Sequence, residues 1–147
     1  GVKRHGKFRK IGKSRMMILA RIGSILYILW GILHIVAAFK VYTLGQSLES
    51  GMVQGRIFQD AWNLLFFALF GTAVGIKYNW HNSKFGYWLN LIVVSIGDIG
   101  FIIFLLIPGY IPIVPGALGP LLWLLALAFS TAAIYREKVQ ATGSQKA

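Results

Sequence analysis

The chain has 147 residues, 56% of them hydrophobic and 13% charged, and its mean hydropathy of +0.65 lies outside the balance of a soluble domain. Fifteen Lys and Arg against four Asp and Glu give a net charge of +11, but most of the excess flanks apolar segments, so the partner expected is anionic lipid headgroup and not nucleic acid. Cysteine is absent, which excludes disulfides, zinc–thiolate sites, iron–sulfur clusters and cysteine nucleophiles.

Residues 1–21 carry Lys3, Arg4, Lys7, Arg9, Lys10, Lys13, Arg15 and Arg21 among interspersed glycines. This basic cytoplasmic arm is expected to be irregular, or ordered only on lipid, with Lys3 to Arg15 contacting headgroups. The apolar run that follows, Met16 to Phe39, is longer than the hydrophobic part of a signal peptide and reads as a retained span.

Four bilayer-crossing segments are expected at about 22–41, 60–78, 87–107 and 121–135, since roughly 20 helical residues cover a hydrocarbon core about 30 Å thick. A polar connection with Gln46, Glu49, Gln54 and Arg56 separates the first two. Asn79 to Gly86 forms a tight hairpin before the third. Pro108-Gly109 stops the third span, and Pro112, Pro115, Gly116, Gly119 and Pro120 are expected to keep the chain irregular up to Leu121. That loop reads either as a lid over the bundle or as an apolar interfacial turn, the latter preferred. Residues 136–147 form a cytoplasmic tail. The fold class is thus all-α, a polytopic membrane protein built as a four-helix bundle, one domain between arm and tail.

Orientation follows from the basic residues. With the amino terminus inside, thirteen Lys and Arg collect on the inner side and only Lys40 and Arg56 on the outer one, so both termini are expected in the cytoplasm. Trp80, Tyr87, Trp88, Tyr42 and Tyr110 read as interfacial anchors, and Gly71 and Gly75 as positions of close helix packing.

His34 and Asp98 are the two ionisable groups that fall deep in spans, about 4 Å and 1 to 2 Å outward of the bilayer centre. A charged aspartate there costs on the order of 2.5 to 3.5 kcal/mol, so Asp98 needs a proton or a partner. Helical spacing places Gly23, Tyr27, Trp30, Gly31, His34 and Ala38 on one stripe of the first span, and Tyr87, Asn90, Val94 and Asp98 on one stripe of the third. With Asn63 of the second span, His34 and Asp98 are expected to converge, either as a proton-linked or binding site or as a lock between helices. Asp60 is a weaker candidate, read also as the N-cap of the second span.

No metal-ligand spacing, phosphate loop, nucleophile elbow or haem-ligand arrangement occurs. No catalytic residue, metal site or cofactor is therefore assigned. Trp30-Gly31-Ile32-Leu33-His34, Ala61-Trp62-Asn63 and Gly116-Ala117-Leu118-Gly119-Pro120 resemble small bacterial four-helix inner-membrane proteins of the DoxX-like kind over about Arg21 to Glu137. The resemblance implies a four-helix bundle in a bacterial inner membrane and no catalytic residue. The expected role is a binding or accessory subunit for a lipophilic ligand or a larger membrane complex. The alternative is a proton-coupled small transporter that uses Asp98 and His34 as a dimer, and a homo-oligomer or a membrane-protein partner is expected on either role.

Overall fold

The computed structural model describes residues 2–145, and the side chains of residues 12–143. It is all-helical, with no strand among the described residues. Four helices are long and apolar enough to cross a bilayer: α1 (Val2–Gln46), α2 (Met52–Lys77), α3 (Lys84–Phe101) and α4 (Leu118–Gln145). Helix α3 runs on into a π-helical stretch, Ile102–Leu106.

Helices extend beyond the expected spans at several ends. Helix α1 begins at Val2, so the arm expected to be irregular continues the first helix. Once the apolar segment has nucleated, each added residue gains a hydrogen bond without a new nucleation cost, and Lys and Arg are good helix formers. The same physics carries α4 through the expected tail. Helix α2 starts at Met52 after Gly51, so Asp60 lies two turns inside it and is not its N-cap. Helix α4 starts at Leu118, three residues early, because Pro120 falls in the first turn, where no intrahelical donor is required of it.

The connections are compact. Gln54 Nε2 donates to the carbonyls of Gly45 and Leu48, both at 3.1 Å, and so satisfies the chain as it leaves α1. Between α2 and α3 a 3-10 turn, Asn79–His81, ends at Asn82 in the left-handed region (φ 56°), a conformation asparagine tolerates better than most residues. Ser83 caps α3 by accepting from Gly86 N. From Ile107 to Ala117 the chain is irregular, apart from one turn at Ile113–Gly116 that Val114 interrupts. Tyr110, Ile113 and Val114 are exposed there.

Helix α1 is the central element, packed along both α2 and α4. Its buried stripe is the expected one, extended by Met16, Ala20 and Ser24. Tyr27 and Trp30 form the largest part of the core, together with Val94 of α3 and Ala126 of α4. Gly71 of α2 makes room for the indole, since a Cβ there would lie 3.2 Å from Trp30 Cζ3, and Gly75 lies against Tyr27, whose Cβ a Cβ on Gly75 would meet at an ordinary contact distance of 3.4 Å. The outward faces are apolar, as at Trp62, Ile96, Phe104 and Leu121.

One end of the bundle gathers the α2–α3 turn and the distal part of α4. Asn82 Nδ2 donates to Glu137 Oε2 (3.3 Å), and the Arg21 guanidinium lies 5.3 Å over the Trp80 ring, a cation–π arrangement. The α1–α2 connection and the 107–117 loop occupy the opposite end.

Candidate functional site

A buried carboxylate joins α1 to α3. Asp98 is fully buried, and Trp30 Nε1–H donates to its Oδ2 at 2.9 Å. Its other oxygen, Oδ1, faces His34 Nε2 at 3.5 Å and accepts no hydrogen bond. The imidazole stacks on the Trp30 indole with ring centroids 3.9 Å apart. Both α1 residues reach Asp98 because they lie four positions apart on one helical face.

The role of His34 Nδ1 follows from its hydrogen bond. His34 Nδ1 lies 2.8 Å from the Trp30 carbonyl, and a carbonyl oxygen only accepts, so Nδ1 carries a proton. In the neutral ring Nε2 then presents a lone pair to Asp98 Oδ1. Only a hydrogen on Nε2 or on Oδ1 would make the 3.5 Å approach an attractive one, and as placed Oδ1 accepts no hydrogen bond.

Helix α4 closes this site from a third side. A Cβ on Gly119 would lie 3.2 Å from His34 Cε1, so the first turn of α4 approaches the imidazole at backbone distance. This contact belongs to the Gly116–Pro120 segment singled out in the sequence, but its target is a tertiary matter that spacing does not encode.

Asn63 does not join the pair. It is exposed, whereas Ala61 and Ala68 face the interior. Two residues turn a helix by about 200°, which sends Asn63 to the side opposite Ala61. Asp60 is likewise exposed. In the arm, Lys13 and Arg15 are exposed, and the side chains of Lys3, Arg4, Lys7, Arg9 and Lys10 lie outside the described residues. Trp30, placed by spacing on the buried stripe, is the partner that sequence reasoning missed. The signal was present, since a buried indole N–H needs an acceptor and Asp98 is at compatible depth.

The chain matches no family model, no curated protein and no solved structure. What the site does therefore rests on its own chemistry. Among the described residues no three His, Cys, Asp or Glu side chains gather to hold a metal.

Helix α3 is held by further polar links. Asn90 Nδ2 donates to the Gly71 carbonyl of α2 (3.1 Å), Trp123 Nε1 of α4 donates to Ser95 Oγ (2.9 Å), and the Tyr87 and Thr131 hydroxyls share a hydrogen bond at 3.0 Å. With Asp98, four positions of α3 thus bond to three different helices.

A groove of about 290 Å³ opens between α1 and α2 at the end away from Arg21. Phe39, Tyr42, Phe58 and Trp62 wall it and Ala38 and Ala61 leave space at its base. Its walls are almost wholly hydrocarbon, so what it can accept is an apolar chain or ring.

Proposed function

We propose that this chain is a small integral membrane protein, its four long helices crossing the bilayer with both ends of the described chain on the cytoplasmic side, and that it is a non-catalytic binding or accessory subunit for a lipophilic molecule. The apolar outward faces of all four helices support the membrane reading, because such surface is costly in water and neutral in lipid. The α1–α2 groove is the single observation that carries the binding role. It is lined by aromatic rings and small residues with little polar surface, and it borders the hydrocarbon-facing exterior. The ligand class is therefore a long acyl or isoprenoid-like chain. The layout of the DoxX-like resemblance, a compact four-helix bundle in a bacterial inner membrane, fits the same reading.

The testing experiment is purification in mild detergent followed by organic extraction of what remains bound. A defined lipophilic species should be retained at a fixed ratio by the wild-type chain and lost from Ala61→Phe, whose ring fills the groove. Retention that is equal in both proteins would remove the groove from the reading.

A second reading is a proton-coupled transporter acting as a dimer, since four helices are few for one translocation path. The observation in its favour is the 3.5 Å approach of His34 Nε2 to the buried Asp98 Oδ1, because intramembrane acid–base pairs are common proton relays. On this reading Asp98→Asn in proteoliposomes abolishes proton coupling while the bundle stays folded. On the accessory reading, that variant retains the bound lipophilic species unchanged.

A further inference from the structure

A second cleft, of about 230 Å³, lies between α3 and α4 at the end that carries Arg21 and the α2–α3 turn. Lys84, in the first turn of α3, and Lys138, in the distal part of α4, both line it, and among the described residues neither has an ion-pair partner. The linked hydroxyls of Tyr87 and Thr131 line it too. One hydroxyl donates to the other, so a single O–H of the pair remains free to donate. The apolar wall comes from Ile134 and Trp88.

Two ammonium groups and a free hydroxyl beside an aromatic and aliphatic wall make up the chemistry that takes a phosphodiester with a hydrocarbon tail. We propose that this cleft binds the headgroup of an anionic phospholipid of the inner leaflet, with phosphate between Lys84 and Lys138 and the glycerol and upper acyl carbons along Trp88 and Ile134. The inference rests on the membrane reading above but is independent of the α1–α2 groove and of the His34–Asp98 pair. Its location supports the choice of a lipid over a soluble anion, because the cleft lies between two helices whose outward faces are apolar. It differs from diffuse attraction by the basic arm in having walls and a hydroxyl donor.

The test uses the full chain in nanodiscs containing phosphatidylglycerol and phosphatidylcholine, released for native mass spectrometry so that tightly held lipids are counted on the protein. Wild type should retain phosphatidylglycerol preferentially, and Lys84→Gln/Lys138→Gln should lower that preference on the order of tenfold at low salt. Lys84→Arg/Lys138→Arg should keep it, and Lys13→Gln/Arg15→Gln, in the arm, should lower it far less than the double Gln variant of the cleft does. Equal preference in wild type and the double Gln variant would overturn the proposal. So would loss of preference only in the arm variant, which would reduce the effect to general basic charge. Displacement of the lipid by millimolar inorganic phosphate would also overturn it, by making the site one for a free anion. A chain that did not enter nanodiscs at all would instead sink the membrane reading, and this proposal with it.

Discussion

His34 Nε2 faces Asp98 Oδ1 across 3.5 Å while His34 Nδ1 is committed to the Trp30 carbonyl, so a donor at position 98 has Nε2 as its acceptor. Asparagine at position 98 supplies that donor: its oxygen accepts from Trp30 Nε1, and its amide donates to Nε2. Asp98→Asn should therefore change stability by less than about 1 kcal/mol, whereas Asp98→Leu, which strands the indole N–H and the imidazole, should cost about 1–3 kcal/mol or more. Denaturant unfolding in detergent micelles, followed by helical circular dichroism, reads the difference. Equal losses in both variants would mean that hydrogen bonding at position 98 does not hold these helices together.

Trp30→Phe isolates the indole donor. The ring remains to pack against Gly71 and Val94, but Asp98 Oδ2 loses its hydrogen bond, at an expected cost of about 1–3 kcal/mol. In an Asp98→Leu background the same change should cost much less, because Trp30 then has no acceptor to lose. A double-mutant cycle measured by the same unfolding assay gives the coupling directly. A coupling near zero would mean that the 2.9 Å contact contributes nothing.

Two glycines offer a matched contrast in how closely helices approach. A Cβ on Gly31 would collide with Thr72 Oγ1 and sit 2.9 Å from the Ala68 carbonyl oxygen, whereas one on Gly97 would meet nothing within 4 Å. Gly31→Ala should destabilise by about 1–3 kcal/mol as α1 and α2 are forced apart. Gly97→Ala should stabilise by roughly 0.5–1 kcal/mol through reduced backbone freedom. If both variants behaved alike, helix propensity and not the α1–α2 approach would govern the site.

Absence of cysteine makes the topology directly testable. His81, Thr142 and Glu49 are exposed and can each be replaced by the chain's sole thiol. In right-side-out vesicles a membrane-impermeant maleimide should label Glu49→Cys and leave His81→Cys and Thr142→Cys unlabelled until the membrane is opened. Labelling of Glu49→Cys and His81→Cys from the same face would be incompatible with α2 crossing the bilayer once.

The four long helices and the buried stripes on α1 and α3 were legible from spacing, because residues three and four apart on a helix share a face wherever the helix is placed. That is why His34 and Asp98 were matched from depth and periodicity alone. Asn63 was misjudged by about 200° of rotation: the second span offers polar residues on more than one face, and only packing decides which face turns inward. The helices run past the expected spans at Val2, Met52 and Leu118 because propagation from an apolar segment tolerates flanking basic residues, glycine and a first-turn proline. The approach of Gly119 to His34 depends on where α4 docks, which local sequence does not specify.

Bonds from Tyr87, Asn90, Ser95 and Asp98 to partners on three helices work as a set of pegs for α3. An axial slip of one residue moves the helix by about 1.5 Å and rotates it by about 100°, which would pull every peg from its hole at once. Piston-like displacement is thus closed to this helix. If it takes part in any movement, the movement must be a pivot about these anchors or a rigid swing of the whole bundle.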